Sequence, residues 1–326
     1  MISVIVPFYK TNQQHFRYCL ESLRLQTFQD FEVLLMDDGN TAEYLQVANE
    51  YVASDRRFKI IRLNHTGVSE ARNTGIREAN GEYIVFCDSD DYVANNYLES
   101  LYKGLEYADI AICGVAWEGI VQNTIVNRSV FQSLPSQFNW LVYVNFPVNK
   151  IFKTNILKEH GIYFRKDVKL GEDAIFFADY IKYCTTIKCI QNNLYYYIRT
   201  YNSATKNFNP NYWNWEQEVI QRQYDLFTEY PLGEEESHFM QWWLYDKLKG
   251  AICYYLDSVN FDYNSVIADI ISSKYFQYIY HGHEFNPRFT RKDKFIIRLF
   301  KRFNIKGIEG FQYFRNMKKA LNKIRY

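Results

Sequence analysis

The feature that most restricts the fold of this chain is a regular exchange of strand and helix patterns over roughly its first 115 residues. Ser3–Pro7 reads as a short buried strand, after which Phe16, Cys19, Leu20 and Leu23 recur at helical spacing. Phe31–Met36, Phe58–Leu63 and Glu82–Cys87 read as further strands. Helices are expected through about Ser54 and over Val68–Ala79, where Asn80-Gly81 is a stop signal. A helix near Asn95–Glu106 and a strand near Ile110–Val115 follow. Strands alternating with helices of this length predict right-handed βαβ units and an α/β fold. Its mostly parallel sheet is sandwiched by helices.

The rest of the chain reads differently. Regularity fades from about 116 to 206, and after Pro210 the pattern turns helical and rich in Trp and Tyr. The expected organisation is an α/β domain over 1–206, a helical aromatic-rich region over 207–287 and a basic tail over 288–326. Net charge is +1, from 38 Lys and Arg against 37 Asp and Glu, which argues against nucleic acid bound through bulk charge. The tail is the exception, with thirteen Lys and Arg against Asp293 and Glu309. Six scattered cysteines without a CxxC pair read as reduced thiols of a cytoplasmic protein. Met1–Pro7 has neither a basic n-region nor a small-residue cleavage site, so it reads as a strand and not a signal peptide. No apolar run approaches the ~20 residues that cross a bilayer.

In open parallel sheets, ligands bind in the crevice at the carboxyl ends of the strands. There the first strand carries Pro7, Phe8 and Tyr9, the second ends in Asp37-Asp38-Gly39, and the fourth ends in Asp88-Ser89-Asp90-Asp91. Arg72 lies early in the helix after the third. Carboxylates gathered on one rim repel by ~4 kcal/mol per pair at ~4 Å and an effective dielectric of ~20. A divalent cation relieves that repulsion. Hard oxygen donors suit Mg²⁺ or Mn²⁺, which complete their shells from water and phosphates. Taken singly, each motif has a plainer reading: Asp and Ser after a strand cap the next helix, and Asp-Gly is ordinary turn chemistry.

Four segments together resemble a known family. Ser3-Val4-Ile5-Val6-Pro7-Phe8-Tyr9, Met36-Asp37-Asp38-Gly39, Gly67-Val68-Ser69-Glu70-Ala71-Arg72-Asn73 with Gly75, and Phe86-Cys87-Asp88-Ser89-Asp90-Asp91 are similar to the successive motifs of the family 2 glycosyltransferases of GT-A fold, of the bacterial capsular and exopolysaccharide type. Asn149-Lys150 and Gly171-Glu172-Asp173 extend the match to about residue 205. The resemblance implies an inverting, metal-dependent transfer from a nucleotide sugar, usually a UDP-sugar. Pro7 and Tyr9 would border the base, and Asp38, with Asp37 beside it, would contact uracil. Arg72 would lie by the uracil or diphosphate. Asp88 would meet the ribose or the ion, and Asp90, the last acid of the DXD motif, would ligate the metal. Asp173 would be the catalytic base, with Glu172 orienting the acceptor or a neighbouring loop. Arg199 and Ser203 would lie over the diphosphate. Lys150 reads either as a phosphate or acceptor contact or as a strand-edge lysine. Asn40 stands where the family often has Ser.

In the tail, Phe295, Ile296, Leu299, Phe300 and Phe303 share one side of a helical wheel, and Lys294, Arg298, Lys301 and Arg302 share the other. Ile297 is the exception. A second such helix runs over residues 313–324. Basic amphipathic helices of this kind lie in an anionic membrane interface. The alternative is docking of the apolar faces on the protein's own body. The whole reads as a peripheral enzyme at the inner face of the cell membrane. It would move a sugar to a lipid-linked saccharide acceptor in surface polysaccharide synthesis, and a homo-oligomer is compatible with that. Two other readings share parts of this pattern: a membrane-bound donor-binding subunit without transfer activity, and a sugar nucleotidyltransferase. The second wants a Gly-rich loop after the first strand, where this chain has Phe8-Tyr9-Lys10-Thr11-Asn12. His281-Gly-His283 has no third ligand at a recognisable spacing and reads as a solvated loop.

Overall fold

A computed structural model describes residues 1–106, 108–117, 120–121, 146–198, 208–228, 233–257, 264–298 and 300. The chain divides into two compact units, Met1–Ser203 and Ala204–Tyr326.

The first unit is built on one nine-stranded sheet. Its strands are β1 (Ile2–Phe8), β2 (Phe31–Asp37), β3 (Phe58–Arg62), β4 (Tyr83–Phe86), β5 (Tyr92–Val93), β6 (Ile110–Trp117), β7 (Ile120–Val121), β8 (Lys150–Lys153) and β9 (Ile187–Tyr197). They run in the order β3-β2-β1-β4-β8-β6-β9-β5, with β7 paired to β6. The βαβ alternation produces a parallel half, in which Val4 of β1 pairs with Val33 of β2 and Val85 of β4. Beyond β4 the sheet is mixed: β8 joins both β4 and β6 antiparallel, and β9 joins β6 parallel. Its helices are α1 (Gln13–Arg24), α2 (Ala42–Ser54), α3 (Val68–Glu78), α4 (Tyr97–Gly104), α5 (Thr154–Glu159) and α6 (Glu172–Ile181).

Every residue of β1 is buried, as expected of a central strand covered on both faces. Helix α1 turns Phe16, Cys19, Leu20 and Leu23 inward, and Asn12 caps it by accepting from the backbone N–H groups of Gln14 and His15. Helix α3 sits so close to β1 that a Cβ at Gly75 would come within 2.5 Å of Ile5 Cγ2. Two residues upstream, Asn73 clamps a distant loop. Its amide nitrogen donates to the Phe164 carbonyl (2.9 Å), and its amide oxygen accepts from the Phe164 N–H (2.7 Å). Phe164 then stacks on Phe176 of α6 at 3.9 Å and meets Phe86 of β4 edge-on at 5.3 Å. This aromatic cluster fixes the start of α6 against the end of β4.

The second unit is helical: α7 (Tyr212–Thr228), α8 (Glu234–Leu256), α9 (Asn264–Ser272) and α10 (Lys274–Gly282), with residues 291–298 also helical. Helix α8 is the hub and buries Trp243, Leu244, Leu248, Ile252 and Tyr255. Abundant aromatics here act through polar tips as well as area. The Trp213 indole donates to Asp269 (2.6 Å), and the Tyr255 hydroxyl bridges the Pro210 carbonyl and the Trp213 N–H. His281 lies in the last turn of α10, and His283 is buried beside Tyr280 and Glu284, so the pair is not a solvated loop. Ile296, Ile297 and Phe300 are buried while Phe295 is exposed. Of the apolar stripe expected at the root of the tail, Ile296 and Phe300 thus turn inward together with Ile297, Phe295 does not, and Leu299 and Phe303 lie outside the described residues. Residues 301–326, including the second predicted tail helix, lie outside the described residues.

Candidate active site

The end of β1 and the turn after β2 are locked together by Asn40. Its side-chain N–H₂ donates to the Phe8 carbonyl (3.0 Å) and to Asp37 Oδ1 (2.7 Å), while its oxygen accepts from the Lys10 N–H (2.7 Å). Pro7 is buried inside β1, opposite Met36. Asp37 is fully buried, and its second oxygen accepts from Arg62 of β3 (3.0 Å). Asp37 is enclosed in the turn that it stabilises.

Asp38 faces the loop between β3 and α3. Its Oδ1 accepts from the Thr66 N–H (2.6 Å) and hydroxyl (3.2 Å), and its Oδ2 accepts from the Gly67 N–H (2.9 Å) and lies 3.3 Å from His65 Nδ1. Gly39 has φ +84°, and a Cβ there would lie 2.9 Å from the His65 backbone nitrogen, so glycine lets the two loops touch. The His65 ring stacks on Tyr9, centroid to centroid 4.1 Å. Tyr9 remains 39% exposed, an aromatic face open at the carboxyl edge of the sheet. Sequence reading missed His65 and Thr66. The signal was their place in Asn64-His65-Thr66-Gly67, a polar loop at the ligand-binding end of β3.

The centre of the site is Arg72. Only 4% exposed, it donates through one NH₂ group to Asp88 Oδ1 (2.9 Å) and through the other to Asp173 Oδ1 (2.8 Å), with Glu172 4.0 Å away. The guanidinium carbon lies 5.1 Å from the centre of the Phe164 ring, and its Nε is buried without a partner. Burial alone would lower its pKa. The carboxylates of Asp173, Asp88 and Glu172 more than reverse this and hold it above the ordinary value. Arg72 thus ties the start of α6, 100 residues further along the chain, to the turn after β4.

Those carboxylates differ in character. Burial pushes Asp173 up to about 7, opposed by Arg72 and assisted by Glu172 and Asp88. Glu172 is raised mainly by burial as well. Asp90 is raised by burial and by repulsion from Asp88. Asp91 is fully buried and is raised to about 8 by burial and Asp88, although it accepts from the Tyr195 hydroxyl (2.7 Å) and the Ile198 N–H (2.8 Å). It fastens the turn after β4 to β9. Ser89 in the same turn meets Thr11 hydroxyl to hydroxyl (2.7 Å), which ties that turn to the loop after β1.

Lys150 is fully buried on β8. Its ammonium donates to Asn149 Oδ1 (2.6 Å) and to the Phe146 carbonyl and lies 4.9 Å from the centre of the Phe177 ring. Burial depresses it to about 7, against the pull of Cys113 and Asp173. It is an interior lysine and not a strand-edge charge. Arg199 and Ser203 lie outside the described residues. Among the described residues, no three His, Cys, Asp or Glu gather to hold a metal unaided. Asp88 and Asp90 offer two hard oxygen donors, which suit a cation that takes the rest of its shell from water and phosphate.

Residues 3–163 match the family model described as Glycosyl transferase family 2. The chain belongs to glycosyltransferase family 2. Within the family it is 29% identical over 208 residues to EpsH of Bacillus subtilis (strain 168), named as a glycosyltransferase, covering 60% of each chain. It is 30% identical over 203 residues to the poly(ribitol-phosphate) beta-N-acetylglucosaminyltransferase TarS of Staphylococcus aureus (strain MW2), covering 60% of this chain and 35% of TarS. The matched stretch thus spans less than two thirds of either relative. The structure of S. aureus TarS 1-349 in complex with UDP-GlcNAc superposes with a TM-score of 0.73 at 19% identity, covering 98% of this chain and 91% of that one. The mannosyltransferase PcManGT of Pyrobaculum calidifontis, in complex with GDP-Man and Mn²⁺, superposes with a TM-score of 0.50 at 15% identity, covering 85% and 82%. These likenesses fix the fold as GT-A.

Proposed function

We propose that this glycosyltransferase moves a sugar, with inversion, from a UDP-sugar to a lipid-linked saccharide acceptor in surface polysaccharide synthesis, at the inner face of the cell membrane. The observation that carries the reading is the bridge Asp88–Arg72–Asp173, which joins the carboxylate at the end of β4 to a second carboxylate at the start of α6. Inversion needs a base on the face of the sugar opposite the leaving diphosphate. Asp173 fits that role: burial raises its carboxyl to about 7, towards the range that suits a general base near neutral pH, and Arg72 fixes its orientation. Glu172 adjoins it and would orient the acceptor hydroxyl. The Tyr9–His65 stack gives the nucleobase an aromatic platform, and Asp38 gives uracil a hydrogen-bond acceptor. Structures of TarS with UDP-GlcNAc and of PcManGT with GDP-Man and Mn²⁺ support a nucleotide-sugar donor and a cation. Asp88 and Asp90 would hold Mg²⁺ or Mn²⁺, which when bound stabilises negative charge on the departing diphosphate.

Asp173→Asn tests the assignment. Removing a general base lowers the rate by about 10²–10⁴-fold. The variant is expected to bind UDP as tightly as the parent in calorimetry while losing sugar transfer by that factor. Normal turnover would remove Asp173 from the mechanism.

A further inference from the structure

The second unit carries a surface that the catalytic reading does not use. Phe285 is 85% exposed and Phe295 is 62% exposed, the two most exposed large apolar side chains among the described residues. Leaving them in water forgoes the burial that normally drives such side chains inward. They share a neighbourhood. Lys294 donates to the Glu284 carbonyl (2.6 Å), and Arg298 grips the Glu284 carboxylate with two bonds of 2.7 Å, pinning the loop that bears Phe285 to helix 291–298. On that helix Arg291, Lys292 and Arg298 stand four before, three before and three after Phe295. All four side chains are exposed and share one face. Acidic groups nearby are already engaged: Glu284 with Arg298 and His283, and Asp293 with Tyr245 and Thr290. Arg288 is occupied by Glu235 (3.6 Å) and by the Phe239 ring, so it adds little to the outward charge.

The apolar stripe that made the tail look amphipathic, Ile296 with Phe300, is closed inside the unit. What remains outward is the basic side, with one phenylalanine at its centre and another beside it. We propose that this face, Phe285 and Phe295 flanked by Arg291 and Lys292, is a docking surface for an anionic lipid bilayer. The two rings would enter the headgroup boundary while the cations meet lipid phosphates. Two rings standing this far out, with exposed cations beside Phe295, suit the headgroup boundary of an anionic bilayer. The proposal deepens the membrane part of the function above and names the residues that make the contact.

The full chain with Phe285→Ser and Phe295→Ser is compared with the parent in co-sedimentation with vesicles of phosphatidylglycerol and phosphatidylcholine, and of phosphatidylcholine alone. Burying one phenylalanine changes a partition constant by about tenfold or more. The parent is expected to bind the anionic vesicles, and the double variant at least about tenfold more weakly. A second variant, Arg291→Gln with Lys292→Gln, should bind more weakly and show a shallower dependence on salt. Unchanged sedimentation of both variants overturns the proposal. So does a parent that binds soluble polyphosphate but no vesicle, which would make the partner a polyanion. Release of UDP from a UDP-sugar, followed in the same variants, should equal the parent's. A lost lipid contact and a wrong catalytic assignment therefore give different results.

Discussion

At the scale of single residues, the Arg72–Asn73 pair explains much of the site. Asn73 fixes the Phe164 backbone, Phe164 lies under the Arg72 guanidinium, and Arg72 holds Asp88 and Asp173. Arg72 opposes the upward shift of Asp173, whose carboxyl titrates at about 7. Deleting that cation removes a stabiliser of the carboxylate, so the pKa should rise further. If Asp173 is the base, it acts deprotonated, and the rising limb of kcat against pH should move to higher pH in Arg72→Gln. A limb left in place would show that Arg72 does not tune Asp173. Asp90→Asn should have two opposite effects. It removes a carboxyl raised by burial and by Asp88, so the melting temperature should hold or rise, while Mn²⁺-stimulated UDP binding is lost. The residues that make this site were legible because each follows a strand or opens a helix in a recognisable motif. Their partners were not. Nothing in the spacing of Asp37 and Asp38 tells that one carboxylate is enclosed by Asn40 and Arg62 while the other faces a loop.

At the scale of elements, close approach governs the parallel half of the sheet. Helix α3 can lie on β1 only because position 75 has no side chain. Gly75→Ala places a methyl against Ile5 and should cost about 1–3 kcal/mol, read as a lower urea midpoint with an unchanged slope. If stability instead rises, the helix has room that the Ile5 contact denies it. Strands β1 to β4 were readable because apolar runs and helical spacing alternate cleanly. The mixed half was not, since β8 is four residues long and pairs antiparallel with strands distant in sequence. Lys150 shows the cost of missing that pairing. Sequence reading left it between a ligand contact and an edge charge, whereas β8 is flanked on both sides and closes the ammonium inside.

At the scale of the whole molecule, two units each have a core of their own. Calorimetry should resolve two unfolding transitions. UDP should raise only the one belonging to residues 1–203, by about 2.7 kcal/mol of stability at one hundred times its Kd. A single transition that shifts as a whole would mean that the units unfold together. The helical character after Pro210 was legible. The direction its tail faces was not, because a helical wheel sorts residues by side without saying which side meets the body. Asp38 has a consequence at this scale. The same carboxylate that would read the nucleobase also fastens Thr66 and Gly67. A substitution that sought a new base would loosen the loop that leads into α3 and Arg72. Tyr9, whose ring stacks on His65 and stays partly exposed, is where a different base preference could begin without releasing Thr66 and Gly67.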